Sequence, residues 1–307
     1  MSRIHEALKK AAEERAARLT FDVDPREGDG EVRSEPESPL TQGIDLLPPV
    51  PSTRTEAVDS STIASFSFEE LNKRCARKEW RLDPLNSVFL NSKPGEEGPE
   101  RFRTLRLRLY KIATTRKLKR VLITSGVASE GKTFVASNLA QSIAQQPELR
   151  VLLIDADLRS SQLHVMFGTQ GRPGLSDYLR GDADEYAVIQ KGRSKNLFLI
   201  PGGNLVSNPG ELLLSERMKH LLNVVSPAFD WIILDSPPTL PVHDASILAD
   251  LVDGVLFVIR AGSTHAEIVE RTASEFQDKN LLGAVLNQVE KSDSYGAEYQ
   301  NYHSDRD

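Results

Sequence analysis

The chain has 307 residues, a formal net charge of −6 and a single cysteine. The acidic balance disfavours nucleic acid as a partner. One cysteine excludes an internal disulfide framework and is typical of a reducing cytosol. No apolar run reaches the roughly 18 residues that a membrane span requires, and the first residues lack the apolar core of a signal peptide. We therefore expect a cytoplasmic protein that reaches a membrane only through a partner.

Composition divides the chain into four parts. Residues 1–20 are rich in helix formers and predict an N-terminal helix. Residues 21–83 predict a mostly disordered linker that is acidic and proline-rich, although the pattern at its end, from residue 66, favours neither packing nor disorder. Residues 84–290 carry all the strong strand and helix patterns, and residues 291–307 predict a flexible tail. One ordered domain is expected.

The first helix predicted in this domain covers residues 98–115. Glu100, Arg103 and Arg106 follow one another at three-residue steps and therefore share one face of that helix. From the spacing alone, a solvated stripe with local ion pairs is the favoured interpretation.

The next stretch carries the most specific motif. Residues 126–133 fit the pattern G-x-x-x-x-G-K-[ST] at every fixed position, between an apolar strand (121–124) and a helix that runs to about residue 146. Loop N–H groups and the helix N-terminus of such a motif bind phosphate oxygens. A strand–helix turn can match by chance, but these flanks favour a nucleoside-triphosphate site. The expected binding residues are Gly126, Ser129, Glu130, Gly131, Lys132, which would neutralise phosphate charge, and Thr133, whose hydroxyl would bind Mg²⁺.

Two later strands end in acidic residues. One ends in Asp155, with Asp157 and Arg159 just after it, and the other ends in Asp235. Parallel strands bring their carboxyl ends to one edge, so these groups are expected beside the phosphate loop. Thr133, Asp155 and Asp235 are the expected Mg²⁺ ligands, and Asp155 or Asp157 is the expected proton acceptor. The alternative is that the aspartates only cap strand ends or the following helices.

Two more side chains near this edge have open roles. Arg159 would either pair with phosphate or hold an aspartate in place. Asn287, at the end of the last predicted strand, would hydrogen-bond a nucleotide base or simply occupy a turn.

The remaining patterns alternate between strand and helix. Near-continuous apolar strands separated by helices are typical of a parallel sheet that is covered on both faces. We therefore predict an α/β fold of the P-loop NTPase type, with a mostly parallel sheet and helices on both faces. The predicted strands are 150–155, 197–200, 230–235, 254–260 and 282–287, and the main predicted helices are 210–225, 243–251 and 266–277.

Three of the six tyrosines lie in the tail, at Tyr295, Tyr299 and Tyr302. Their neighbours are small, polar or acidic, so the rings are hard to explain as part of a core. They are easier to explain as phosphate acceptors that can reach an active site, since phosphate adds roughly −1.5 to −2 charges to such a segment.

Taken together, the chain resembles the bacterial tyrosine autokinases of capsule and exopolysaccharide loci, P-loop kinases unrelated to the eukaryotic protein-kinase fold. Their three nucleotide motifs correspond to 125–133, 151–159 and 232–238, and the resemblance covers roughly residue 98 to the C-terminus. Further stretches that match are 157–164 with Phe167, 174–179, 208–213, Pro237 and Pro238 with Asp244, and 283–287.

The resemblance implies ATP and Mg²⁺ as cofactors and autophosphorylation of the tail tyrosines in trans. It implies that Glu100, Arg103 and Arg106 form a subunit interface in a homo-oligomer, and that Asn287 contacts adenine. The opening residues look like those of cytoplasmic members without a fused membrane half. Such members imply a membrane polysaccharide chain-length (co-polymerase) protein as activator, recruitment to the inner face of the membrane through it, and a tyrosine phosphatase as a further partner.

The sequence departs from the family at two places. Ala128 and Ser129 stand where Pro-Gly is usual in the loop, and Ser160 and Ser161 stand where Arg-Pro is common. A serine in place of glycine raises the question of whether the backbone can still adopt its turn.

Two other functions remain as alternatives. A positioning ATPase of the MinD/ParA type would carry a second lysine early in the loop, where this chain has Val127. A catalytically weak regulator would bind nucleotide without chemistry, against which the complete set of lysine, threonine and aspartates argues.

Overall fold

The computed structural model describes residues 66–93 and 95–289. The predicted N-terminal helix, linker residues 21–65 and the tyrosine-bearing tail lie outside these residues, so the predictions made for them stay predictions. None of the helices in the described part has the length and apolarity needed to span a bilayer.

Within the described residues, one sheet of eight strands forms the centre of the fold, in the order β1-β4-β5-β3-β6-β2-β7-β8. Neighbouring strands are parallel except β4 and β5, which are antiparallel. The strands are β1 (Ala76–Arg77), β2 (Arg120–Ser125), β3 (Val151–Asp155), β4 (Gln190–Lys191), β5 (Leu197–Ile200), β6 (Trp231–Asp235), β7 (Gly254–Arg260) and β8 (Leu281–Asn287).

All consecutive strands except β4 and β5 are joined by helices, as the crossovers between parallel strands require. They are α1 (Phe68–Arg74), α2 (Glu97–Ala113), α3 (Lys132–Ala144), α4 (Leu163–Met166), α5 (Leu175–Arg180), α6 (Glu185–Val188), α7 (Pro209–Leu214), α8 (Glu216–Val225), α9 (Asp244–Ala249) and α10 (Ala266–Ser274), with a 3₁₀ turn at Ser226–Ala228.

Both faces of the sheet are covered by apolar clusters. Alternate residues of β3 belong to different clusters: Leu153 packs with Leu109 of α2 and Leu139 of α3. Leu152 packs on the opposite face with residues of α5, α7, α8 and α9, such as Leu213. Side chains of a strand alternate between faces, so buried strands need apolar residues throughout. The predicted fold class, a mostly parallel sheet with helices on both faces, is confirmed.

The predicted helix over residues 210–225 is wrong in one respect, because the structure has two helices there. Ser215 ends α7 and begins α8 with an extended backbone (φ −64°, ψ 154°). Its hydroxyl donates to the carbonyl of Leu212 at 2.6 Å. This local bond competes with the helical pattern, as serine side chains often do.

The ordered region also begins earlier than the predicted boundary at residue 84. Residues 66–83 include α1 and β1, and β1 extends the sheet at its β4 edge. Leu71 of α1 is fully buried, and the ring of Trp80 lies 5.0 Å from that of Phe167. These contacts join distant parts of the chain, which is why local composition did not indicate them.

Candidate nucleotide-binding and phosphoryl-transfer site

The phosphate loop follows β2 and leads into α3, and its backbone is unusual at two positions. Gly131 has φ +91° and ψ 26°, in the left-handed region. A Cβ placed there would be strained at this φ and would lie 2.0 Å from Nδ2 of Asn287, so it would also displace that amide. Ser129 has φ +65°, also in the left-handed region. The loop therefore adopts a glycine-favouring turn with serine in place, which answers the question raised by the sequence.

Glu130 has its carboxylate turned towards the protein. It is 1% exposed. Its Oε2 accepts the N–H of Val127 at 2.9 Å, while Oε1 accepts the Thr264 hydroxyl at 2.6 Å and the Arg260 N–H at 3.3 Å. The motif predicts that Glu130 takes part in nucleotide binding. Its contacts join the phosphate loop to the end of β7 and so hold the loop in place; a part in nucleotide binding stays a prediction.

Lys132 begins α3 and is 8% exposed. Within the described residues its ammonium group forms no ion pair and no hydrogen bond. The charge of Asp235 acts on this ammonium group, but a buried cation without a hydrogen bond is still costly unless an anion binds to it directly. Its place at a helix N-terminus beside loop N–H groups makes phosphate the anion that suits it.

Asp155 and Asp235 lie side by side at the carboxyl ends of β3 and β6, where they are register partners. Oδ2 of Asp155 accepts the Ser161 hydroxyl at 2.7 Å and the N–H groups of Gln162 and Leu163 at 3.1 and 3.0 Å. Oδ1 of Asp155 and both carboxylate oxygens of Asp235 have no hydrogen-bond partner in the described structure. No hydrogen bond of normal geometry therefore satisfies these three buried oxygens, although the Thr133 hydroxyl lies close enough to Asp235 to lower its pKa.

The two carboxyl groups have raised pKa values. Burial is the main cause of the raised pKa of Asp155, about 6, which the Ser161 hydroxyl partly offsets. Burial, followed by the charge of Asp155, raises the pKa of Asp235 well above its ordinary value, and the Lys132 ammonium acts in the opposite direction. Like charges held together in a buried place favour any bound cation.

These residues fit a magnesium ion that is shared with a nucleotide. The described residues contain no cluster of three or more histidine, cysteine or acidic side chains that would hold a metal unaided. Mg²⁺ is usually bound through one or two carboxylates together with phosphates and water. The unsatisfied oxygens of Asp155 and Asp235, close to Lys132 and Thr133, supply such a partial set.

Asp157 and Arg159 lie on the loop after β3. Oδ1 of Asp157 accepts the Ser160 N–H at 2.9 Å, and its side chain is nearly buried. Arg159 forms a two-point ion pair with Asp244 of α9, with Nε–Oδ2 2.8 Å and Nη2–Oδ1 3.1 Å. Of the two roles expected for Arg159, the geometry matches holding an aspartate. From the sequence, Asp244 was recognised only as part of a stretch that matches the family, and no role was predicted for it.

Asn287 donates from Nδ2 to the carbonyl of Glu130 at 2.9 Å. It also lines a cavity of about 670 Å³ between α2, the start of α3 and β8, whose lining includes Glu100 and Phe134. The structure therefore brings Asn287 to the phosphate loop and opens a mostly apolar space beside it. A base contact by Asn287 stays a prediction.

The three residues of the predicted interface do not act alike. Glu100 and Arg103 pair with each other along α2. Arg106 donates to the carbonyl of Ser142 in α3 and so contributes to packing within the chain. A subunit interface on this face of α2 stays a prediction. The acceptor tyrosines lie outside the described residues.

Fold and site together define a P-loop nucleotide-binding protein, in which a phosphate loop and paired aspartates meet at one sheet edge. The family described as "CobQ/CobB/MinD/ParA nucleotide binding domain" matches residues 121–305. The tyrosine-protein kinase YwqD of Bacillus subtilis (strain 168) is 36% identical over 214 residues, which are 68% of this chain and 90% of that protein.

Two further similar proteins are also tyrosine kinases. The tyrosine-protein kinase wzc of Salmonella typhi is 36% identical over 219 residues, 69% of this chain but 30% of that protein. The kinase domain of Escherichia coli tyrosine kinase ETK superposes with a TM-score of 0.61 at 34% identity, over 66% of this chain and 80% of that domain. The chain belongs to the bacterial tyrosine-protein kinases within this nucleotide-binding family. The resemblance found in the sequence is confirmed, and the tyrosine-kinase interpretation fits better than a MinD/ParA-type ATPase.

Proposed function

We propose that this chain transfers the γ-phosphoryl group of Mg-ATP to tyrosines of its own tail, Tyr295, Tyr299 and Tyr302, in trans. The observation that carries the proposal is the buried Lys132 ammonium, which forms no hydrogen bond, beside carboxylate oxygens of Asp155 and Asp235 that accept none of normal geometry. These groups need a bound anion and a cation, which Mg-ATP supplies together.

Catalysis would consist mainly of positioning and charge neutralisation, as in other phosphoryl transfers. Lys132 and the loop N–H groups bind the phosphates, and Glu130 holds the loop in shape. Thr133, Asp155 and Asp235 would hold Mg²⁺, which supplies neutralisation of phosphate charge when bound. Asp157 would then accept the phenolic proton, because its Oδ2 accepts no hydrogen bond from the described residues.

The proposed setting follows the family. The chain would form a homo-oligomer through Glu100, Arg103 and Arg106, so that one tail reaches the site of a neighbour. A membrane polysaccharide co-polymerase would recruit the kinase to the cytoplasmic face of the membrane and activate it, and a tyrosine phosphatase would reverse the modification. Through this cycle the kinase would regulate exopolysaccharide or capsule synthesis.

The reaction is tested by incubating the purified full chain with Mg-ATP and mapping phosphate by mass spectrometry. We expect phosphate on the tail tyrosines, and none in Lys132→Ala or in a variant with Phe at all three tail positions. Hydrolysis of ATP without phosphotyrosine would instead favour a nucleotide switch, and loss of both activities a binding regulator.

Transfer between copies is tested by mixing two inactive variants. Lys132→Ala has an intact tail but no phosphate ligand, whereas the triple Tyr→Phe variant has an intact site and no acceptor. Phosphotyrosine on the Lys132→Ala chain, identified by its mass, is expected only if one copy serves another. Its absence from the mixture, with wild type active alone, would contradict transfer in trans.

A further inference from the structure

A second cavity lies beside Asp155, apart from the phosphate loop. Its volume is about 620 Å³, and it is formed by the loop after β3 and by residues near 170–172 and 203–205. Ser161 belongs to its wall and donates its hydroxyl to Oδ2 of Asp155 at 2.7 Å. Ser160, also in the wall, donates its N–H to Asp157. One layer of residues thus separates the cavity from both aspartates.

The lining of this cavity is polar and positive. It contains Arg159, Arg172 and His164 and no acidic side chain. Arg159 is already paired with Asp244. Arg172 is exposed and forms no ion pair or hydrogen bond with any described residue. Burial lowers the pKa of the His164 imidazole, which disfavours its charged form. Arg172 is therefore the cation that remains available to a ligand.

The rim adds an apolar contact. Leu205 is 77% exposed and lines the same cavity. A free phosphate or a nucleotide phosphate would use the arginine but not this leucine. A peptide that carries both a carboxylate and an aromatic ring would use both, since a phenol ring buries apolar area and its hydroxyl stays polar.

The tail has this composition. Residues 291–307 contain four acidic and two basic residues, and every tail tyrosine has an acidic residue within three positions. Glu298 directly precedes Tyr299, and Asp293 lies two residues before Tyr295. A positively charged cavity would both attract such an acidic segment and orient it.

We propose that this cavity is the acceptor-docking site: Arg172 binds the carboxylates that flank a tail tyrosine of a second copy, and Leu205 contacts the ring. The inference rests on the proposed function and deepens it, by naming an acidic, tyrosine-bearing peptide as the acceptor. Docking there holds the segment against Ser160 and Ser161, the two lining residues that hydrogen-bond to Asp157 and Asp155.

Binding is measured first, without ATP, so that the result does not depend on catalysis. A fluorescent peptide of residues 291–307 is titrated with the full chain carrying Phe at its three tail tyrosines, and anisotropy gives the Kd. We expect Arg172→Glu to raise the Kd about tenfold, equivalent to about 1.4 kcal/mol. Arg116→Glu is the matched control, since it makes the same charge change at an exposed arginine in the loop before β2.

A second peptide tests the charge pairing directly. With Asp293, Glu298 and Asp305 replaced by amides, the peptide should bind the parent chain about tenfold more weakly. With this amide peptide, Arg172→Glu should raise the Kd little further, because the carboxylates that Arg172 would bind are already absent. Thermal melting of the variants shows whether each is folded.

The outcomes separate docking from chemistry. Equal Kd values for the parent chain and for Arg172→Glu, or equal effects of Arg116→Glu and Arg172→Glu, would overturn the docking site even if tail phosphotyrosine forms. Binding that depends on Arg172, with no phosphotyrosine formed from Mg-ATP, would support docking and overturn the proposed kinase reaction.

Discussion

Asp155 and Asp235 occupy adjacent strand ends, fully buried, and three of their four carboxylate oxygens accept no hydrogen bond within the described residues. Stability alone would not favour such a pair, because buried like charges repel and cannot be solvated. A site that binds a cation gains from the same arrangement. The energetic cost of the empty site is therefore linked to its ability to bind.

This cost predicts a specific pH dependence in the absence of nucleotide and metal. The folded-state pKa of Asp155, about 6, exceeds its ordinary value. The stabilisation from protonation is then complete below about pH 4 and is lost as pH rises through about 6. In EDTA, we expect the free energy of unfolding to fall by on the order of 1–3 kcal/mol between pH 5 and pH 8 from this pair.

Asp235→Asn should reduce the fall in the free energy of unfolding between pH 5 and pH 8, because it removes one of the two like charges. Urea unfolding of both proteins at the two pH values measures the difference. Identical pH slopes would show that the pair does not carry the effect. The same variant should lose phosphoryl transfer, so that gain of stability and loss of function appear together.

Ser129 gives a second prediction at the scale of one residue. Its φ of +65° costs a non-glycine residue roughly 1 kcal/mol. We expect Ser129→Gly to raise the free energy of unfolding by about 0.5 kcal/mol, since the greater freedom of glycine in the unfolded chain offsets part of the relief. Ser129→Ala retains a Cβ and should give no gain. Denaturant unfolding that ranks alanine at or above glycine would contradict the assigned backbone strain.

At the scale of elements, the phosphate loop depends on a contact from outside its own motif. The Thr264 hydroxyl, just after β7, donates to the carboxylate of Glu130, which in turn accepts the Val127 N–H. A hydrogen bond to a charged group contributes about 1.5–3 kcal/mol. Thr264→Val should therefore loosen the loop and weaken binding of Mg-ATP by roughly three- to tenfold, measured by calorimetry.

The control for this prediction is Thr169→Val. That residue also donates its hydroxyl to a side chain, Gln190 Oε1 at 3.0 Å, but β4 lies far along the sheet from the phosphate loop. Its substitution should leave the affinity for Mg-ATP unchanged. A similar loss in both variants would mean that general destabilisation, and not the link to Glu130, lowers binding.

Prediction from sequence succeeded where the signal was local. β5 and β7 have the predicted bounds because continuous apolar runs end abruptly there. The phosphate loop and the strand-end aspartates follow from one linear motif and from strand polarity. The pair of Arg159 and Asp244 joins residues 85 positions apart, and the link of Thr264 to Glu130 joins residues 134 apart. No local pattern indicates such partners.

At the scale of the whole molecule, the same limit explains why residues 66–83 were assigned to the linker. β1 has two residues and α1 has seven, too short for a clear periodicity. Their stability comes from the domain: Leu71 belongs to the core on one face of the sheet, and the Lys78 N–H donates to the carbonyl of Lys191 at 2.9 Å. Short elements of this kind are stabilised by tertiary packing and not by propensity.

A chain that begins at residue 84 should accordingly be less stable than one that begins at residue 66. Leu71→Ala isolates one contact: complete burial predicts a loss of about 2–5 kcal/mol. Leu85→Ala is the matched control, because Leu85 is 88% exposed and its substitution should change stability by less than about 0.5 kcal/mol. Denaturant unfolding compares the chain that begins at residue 66, the chain that begins at residue 84, and the variants Leu71→Ala and Leu85→Ala. If removal of residues 66–83 and Leu71→Ala both leave the midpoint unchanged, the domain begins at residue 84, as the composition indicated. If both lower it, α1 and β1 are part of the kinase domain, and the sheet edge they cover is not free for a partner.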